Sequence, residues 1–256
     1  MSEIKNSKLI AITGKGGVGK TTVSALLIKN LLSAGKTPVL AIDADPNSCL
    51  DAALGVCVTN TVGRAREDVR ESAGADINVS KRELLRLKLE SALVEEKGFD
   101  LIAMGRPEGE GCYCYANNVL KEIIAEISSG YPYVVLDNEA GLENLSRRIV
   151  QKVDLMILVS DASNSGLQTL LRLFELAGEM KMSYGKLALV INKLRSDKLP
   201  DRMKEISEKT KADIVIGLPD DDEVSGFAQE NKNFLQISDS NAVYKKVMEL
   251  VKCYLP

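Results

Sequence analysis

Few folds accommodate the run Gly14-Lys15-Gly16-Gly17-Val18-Gly19-Lys20-Thr21-Thr22, because of what flanks it. Before it lies the apolar stretch Leu9–Thr13, which reads as a buried strand. After it comes Thr21–Ala34, whose apolar positions recur at helical spacing and stop at Gly35. A strand, a glycine loop and a helix in that order bind phosphate. Glycines let backbone N–H groups close around an anion, and the helix N-terminus favours negative charge. Gly14, Gly16 and Gly19 fit G-x-G-x-x-G, while Gly14, Gly19, Lys20 and Thr21 fit G-x-x-x-x-G-K-[ST]. Lys20 and Thr21 discriminate between the two patterns. A lysine can pair with β/γ-phosphates and a hydroxyl can ligate Mg²⁺, and a dinucleotide fold needs neither. Asp43, at the end of the next apolar run, keeps the dinucleotide alternative open as a ribose-binding acid. It belongs, however, to Asp43-Ala44-Asp45-Pro46, a doubled carboxylate better suited to Mg²⁺ and water.

The same alternation continues along the chain. Strands are expected at Val39–Ile42, Asp100–Met104, Val134–Leu136, Leu155–Val159, Leu187–Ile191 and Ile214–Leu218. Helices fit at Asn118–Ser128, Gly166–Met180, Arg202–Thr210 and in the tail Asn241–Pro256. This predicts an α/β fold: one domain over residues 1–256, with a mostly parallel sheet flanked by helices. Residues 64–97 form a charged segment, and Lys81–Glu96 reads as an amphipathic surface helix.

Composition narrows the chemistry. The 256 residues contain no histidine. That removes Ser-His-Asp and Cys-His hydrolases, His-ligated zinc enzymes and histidine pH switches. Aromatic residues make up 4%, Trp is absent and the net charge is −3, so no base-stacking platform or global basic field for nucleic acid or membrane is expected. Five cysteines are too few for a disulfide framework. Met1–Ser7 is polar, with no secretory signal, and no apolar run reaches spanning length. A cytoplasmic protein with reduced thiols is expected.

Lys15 places a second cation inside the phosphate loop. With it, the sequence resembles the deviant Walker A family of P-loop NTPases, which includes ParA, MinD and the nitrogenase iron protein. The resemblance implies an ATPase using ATP/ADP and Mg²⁺. It also implies a homodimer in which Lys15 reaches the partner subunit's nucleotide. Lys15, Lys20 and Asp45 are the expected catalytic residues, with Asp45 orienting the attacking water. Thr21, Asp43 and Asp137 are expected to hold Mg²⁺, directly or through water. Asp137 opens Asp137-Asn138-Glu139-Ala140-Gly141, similar to the family's D-x-x-A-G switch. The family's adenine-recognising asparagine corresponds to Asn192, followed by Lys193. Leu218, Pro219 and Asp221 resemble the loop that packs on the base.

Cys112-Tyr113-Cys114 lies between a predicted strand and a predicted helix. Residues i and i+2 of an extended segment face the same way. Two thiolates can thus converge on one metal ion, and a two-fold dimer would supply four. The context Arg106-Pro107-Glu108-Gly109-Glu110-Gly111-Cys112-Tyr113-Cys114 resembles the nickel-maturation branch of the family, the CooC-type ATPases and their relative AcsF. That resemblance implies Ni²⁺ bound by Cys112 and Cys114 across the dimer. It further implies a nickel-enzyme client, either carbon monoxide dehydrogenase or acetyl-CoA synthase. Zn²⁺ competes closely for thiolates. Two alternatives stay open: electron transfer, as in the nitrogenase iron protein, and positioning, as in ParA or MinD. Cys49 reads as a small packing residue, and Cys57 and Cys253 as structural.

Overall fold

Every strand in the middle of the sheet is apolar on both faces, as a sheet covered by helices on each side requires. The computed structural model describes residues 7–71, 80–106, 122–141 and 152–255. The strands are β1 (Lys8–Gly14), β2 (Val39–Asp43), β3 (Val94–Glu96), β4 (Phe99–Ala103), β5 (Tyr133–Ala140), β6 (Lys152–Asp161), β7 (Ser183–Leu194) and β8 (Ile214–Pro219). They form one sheet in the order β3-β4-β2-β5-β1-β6-β7-β8. All neighbours are parallel except β3 and β4.

The helices are α1 (Lys20–Ser33), α2 (Leu50–Leu54), α3 (Val62–Glu71), α4 (Lys81–Glu90), α5 (122–128), α6 (Asn164–Glu179), α7 (Arg202–Thr210), α8 (Asp222–Gln229) and α9 (Ala242–Tyr254). Strand residues alternate between two cores. Ile10, Ile12, Val135 and Ile157 pack with Leu27 and Leu31 of α1 and with Val247 and Leu250 of α9. Ala11, Leu136 and Leu158 pack with Val62 of α3, Leu89 of α4, Ile123 of α5, Leu170 of α6 and Ile206 of α7. Lys29 fastens α9 to α1. Its ammonium donates to the Ile237 carbonyl at 2.6 Å, pairs with Asp239 at 2.8 Å and lies over the Tyr244 ring.

One predicted element changes. The helix expected over Lys81–Glu96 ends at Glu90, and Val94–Glu96 is the edge strand β3, paired antiparallel with Phe99–Leu101. Gly98 at φ +88° turns the chain back on itself, which helical spacing of leucines upstream could not reveal. Helices α2, α3 and α8 were also not anticipated. Their runs are short, and α3 has a strongly polar composition. Among the described residues, no helix is long and apolar enough to cross a membrane.

Candidate functional site

The sheet order reverses direction around β1, and that is where the predicted residues meet. The loop after β1 lies beside the carboxyl ends of β5 and β6, with β2 next to β5. Crevices of this kind are the ligand sites of open α/β sheets.

The glycines are where the packing demands them. A Cβ on Gly14 would overlap the Val159 carbonyl oxygen of β6. Gly19 caps α1 at φ +93°, and a Cβ there would strike the Asn192 amide. Lys15, Gly16 and Gly17 are exposed, whereas Val18 and Lys20 are buried. Lys20 Nζ donates to the Lys15 carbonyl at 3.3 Å. The loop is tied to the end of β5: Gly141 N–H donates to the Gly14 carbonyl at 3.3 Å, and the Thr13 hydroxyl to the Gly141 carbonyl at 2.5 Å.

Asp43 and Asp137 are cross-strand partners in the β2–β5 ladder, on strands about 4.8 Å apart. Asp137 lies inside β5 rather than after it, since the strand continues to Ala140. It accepts a hydrogen bond from the buried Ser24 hydroxyl at 3.0 Å, and the nearby Thr21 side chain also favours its charged form. Asp43 accepts from the N–H groups of Asp45, at 3.0 Å, and Leu50, at 2.9 Å. Burial pushes the Asp137 carboxyl up to about 7, with Asp43 adding repulsion. Thr21, Ser24 and Lys20 pull the other way. Burial likewise pushes Asp43 up to about 6, opposed by its two backbone donors and reinforced by Asp45 and Asp51.

These shifts carry a stability consequence. Between the unfolded carboxylate range near 4 and about 7, the folded chain holds protons that the unfolded chain has released. Stability of the nucleotide-free, chelated protein from these groups therefore falls as pH rises through that window. Asp137→Asn removes the ionisable group and keeps an acceptor for Ser24. Its melting temperature should match the wild type at about pH 4 and exceed it by a few degrees at pH 8 (roughly 1 kcal/mol or more for a domain of this size). A constant difference across pH would contradict the buried-carboxylate account.

Asn192 and Lys193 lie within β7, which extends to Leu194 beyond the predicted end. Asn192 is buried and donates to the Val18 carbonyl at 2.8 Å; Lys193 takes φ +57° and donates to the Gly17 carbonyl at 3.1 Å. Both therefore meet the phosphate loop. Leu218 is buried, and Pro219 ends β8 beside Leu194. Asp221 caps α8 by accepting from Val224 N–H at 2.9 Å, and it also accepts from Asn241 at 3.0 Å. A groove of about 540 Å³ along β8 includes Pro219 but none of the phosphate loop.

Cys112 and Cys114 lie outside the described residues. Among the described residues no group of three or more Cys, Asp or Glu side chains is gathered for a metal ion. The packing role expected for Cys49 does not hold: its side chain is exposed at the N-cap of α2, as are those of Cys57 and Cys253 elsewhere. Partial desolvation and the surrounding carboxylates push the Cys49 thiol up.

Four contributors escaped sequence reasoning: Thr13, Ser24, Asn47 and Arg106. Ser24 carried a readable signal, because it is a polar residue one turn after Lys20 within the otherwise apolar face of α1. Thr13 and Arg106 act through pairings distant in sequence, and Asn47 joins the distant Arg106 to its near neighbour Asp45.

The arrangement joins a buried ammonium, a loop of free N–H groups at a helix start, a hydroxyl and two adjacent carboxyl groups. It can hold a polyphosphate and a hard cation. The chain matches the CobQ/CobB/MinD/ParA nucleotide binding domain over residues 9–234. An uncharacterized ATP-binding protein of Methanocaldococcus jannaschii is 40% identical over 247 residues, covering 95% of this chain and 97% of that protein. The carbon monoxide dehydrogenase accessory protein CooC of Rhodospirillum rubrum is 31% identical over 199 residues, covering 73% of this chain and 74% of CooC. The MinD cell division protein of Aquifex aeolicus has a similar structure, with a TM-score of 0.68 at 22% identity, covering 96% of this chain and 95% of that one. By its phosphate loop, its sheet and these matches, the chain belongs to the CobQ/CobB/MinD/ParA nucleotide-binding family of P-loop ATPases.

Proposed function

We propose that this protein is an ATP-hydrolysing nickel metallochaperone. It would act as a homodimer in maturing carbon monoxide dehydrogenase or acetyl-CoA synthase. The observation that carries this reading is Cys112-Tyr113-Cys114 in a chain 31% identical to CooC. Nickel is the cargo, held by the paired thiolates of two subunits. Zinc would bind the same sulfurs without contradicting nickel delivery.

Hard oxygen donors suit Mg²⁺, and Thr21, Asp43 and Asp137 supply them side by side. When bound, Mg²⁺ would neutralise charge on the phosphates. The remaining work falls to this chain's own groups. Lys20 pairs with the phosphates, and loop N–H groups between Gly14 and Thr22 cradle them. Asn192, Lys193, Leu218, Pro219 and Asp221 form the base side. Asp45 orients the attacking water, and Lys15 extends from the exposed part of the loop toward the partner's nucleotide.

The test is reconstitution. Nickel-free client enzyme is incubated with this protein, Ni²⁺ and ATP. Wild type should restore client activity, and Cys112→Ala/Cys114→Ala should lower the yield by at least about tenfold while leaving ATP binding intact. Equal activation by both proteins would remove the metallochaperone reading. A second reading, a positioning ATPase, is favoured by the likeness to MinD over nearly the whole chain. It predicts ATP-dependent co-sedimentation with vesicles or DNA at physiological salt and no effect of the cysteine pair.

A further inference from the structure

The exit of β4 is linked to Asp45 by a chain of side-chain hydrogen bonds. Arg106 Nη2 donates to Asn47 Oδ1 at 2.6 Å. Asn47 donates twice to Asp45 Oδ1, from its backbone N–H at 2.9 Å and from Nδ2 at 3.1 Å. The Asp45 N–H is held by Asp43 Oδ1 at 3.0 Å. Backbone and carboxylate of Asp45 are thus both anchored. Its second oxygen, Oδ2, has no donor among the described residues.

Arg106 is itself held at its backbone. Gly63 N–H of α3 donates to the Met104 carbonyl at 2.9 Å. A Cβ on Gly63 would overlap the Arg106 carbonyl, so α3 packs directly on this turn. Gly105 takes φ +62° against Thr61. The turn is therefore fitted to α3, while the guanidinium reaches across to the loop after β2. Arg106, Asn47 and Asp45 are all outside the cores, so the link contributes orientation rather than burial.

We propose that Arg106 is a positioning residue for nucleotide hydrolysis, fixing the Asp45 carboxylate through Asn47. The inference rests on the reading that Asp45 orients the attacking water. Two donors on Oδ1 set the plane of the carboxylate and leave Oδ2 as the acceptor for that water. Without Arg106, Asn47 can rotate and Asp45 loses its fixed plane.

Steady-state ATP hydrolysis by Arg106→Ala, Asn47→Ala, the double variant and Asp45→Ala tests the relay. Arg106→Ala and Asn47→Ala should each lower kcat by about threefold to tenfold with KM for ATP unchanged, as misplacement of a reacting group predicts. The double variant should be no slower than the slower single variant, and Arg106→Lys, which keeps a donor, should recover part of the loss. Arg106→Ala should add nothing in the Asp45→Ala background. Unchanged kcat in Arg106→Ala, or multiplying effects in the double variant, overturns the relay while leaving a slow Asp45→Ala as support for the role of Asp45. Full turnover by Asp45→Ala with a slow Arg106→Ala overturns it too, and removes that role as well.

Discussion

Lys20→Ala is expected to lower ATP turnover by about a hundredfold or more, the scale of losing one preorganised charge donor in a catalytic site. Lys20 is the first residue of α1, is 8% exposed and has its ammonium only 3.3 Å from a loop carbonyl. It is a cation already taken out of water and held at the point where α1 presents its free N–H groups. Removing it should not unfold the chain, because the cost of burying an ammonium offsets much of what its contacts with the Lys15 carbonyl and Asp137 return. The melting temperature without nucleotide should stay within a few degrees of wild type, whereas the rise on adding Mg²⁺ATP should vanish. Turnover near wild type in a well-folded Lys20→Ala variant would place the phosphates elsewhere. Lys20→Arg is no rescue, since the planar guanidinium does not fit a site shaped for a point charge.

The residues of this site were legible in the sequence to the extent that backbone period and local spacing define them. The glycine loop, the two strand-end carboxylates and the asparagine of β7 all sit at the carboxyl edge where apolar runs end, and apolar runs are easy to read. Strand limits were read less well at β5 and β7. There Asp137, Asn138, Asn192 and Lys193 remain within the strands although they are polar. Buried polar residues look like strand ends in a sequence. The Asn138 amide shows how the structure absorbs one, donating to the Ile12 carbonyl at 2.9 Å where β1 and β5 shift register. The Arg106–Asn47 contact joins positions 59 residues apart and has no periodic signature, so only the folded sheet reveals it. The strand β3 was hidden for a different reason. Leucines at helical spacing in Lys81–Glu90 continue past the real end of α4, and the hairpin is signalled by Gly98 alone.

Gly14→Ala and Gly17→Ala should have opposite dominant effects, although both lie in the same loop. Gly14 pairs with Val159 in the β1–β6 ladder, and a Cβ there would overlap the Val159 carbonyl oxygen, with Val159 C at 3.1 Å and Val18 Cγ2 at 3.2 Å behind it. The obstructing atoms are backbone of a central strand and cannot move without opening the sheet. Overpacking of this kind costs about 3 kcal/mol or more, which for a chain of this length lowers the melting temperature by roughly 6–12 °C. Gly17 takes φ +77° with nothing within 4 Å of the added carbon. The cost to the empty protein is then backbone strain alone, about 1–2 kcal/mol. Its exposed side is where a phosphate must approach the loop N–H groups, so nucleotide binding should suffer most there. Thermal melts with and without Mg²⁺ATP separate the two. Gly14→Ala should lose most of its stability before any ligand is added. Gly17→Ala should melt roughly 2–8 °C below wild type when empty, less than the loss in Gly14→Ala, and gain little from nucleotide. The reverse order would mean that Gly14 faces the ligand and Gly17 faces the sheet, contrary to the register of β1 against β6.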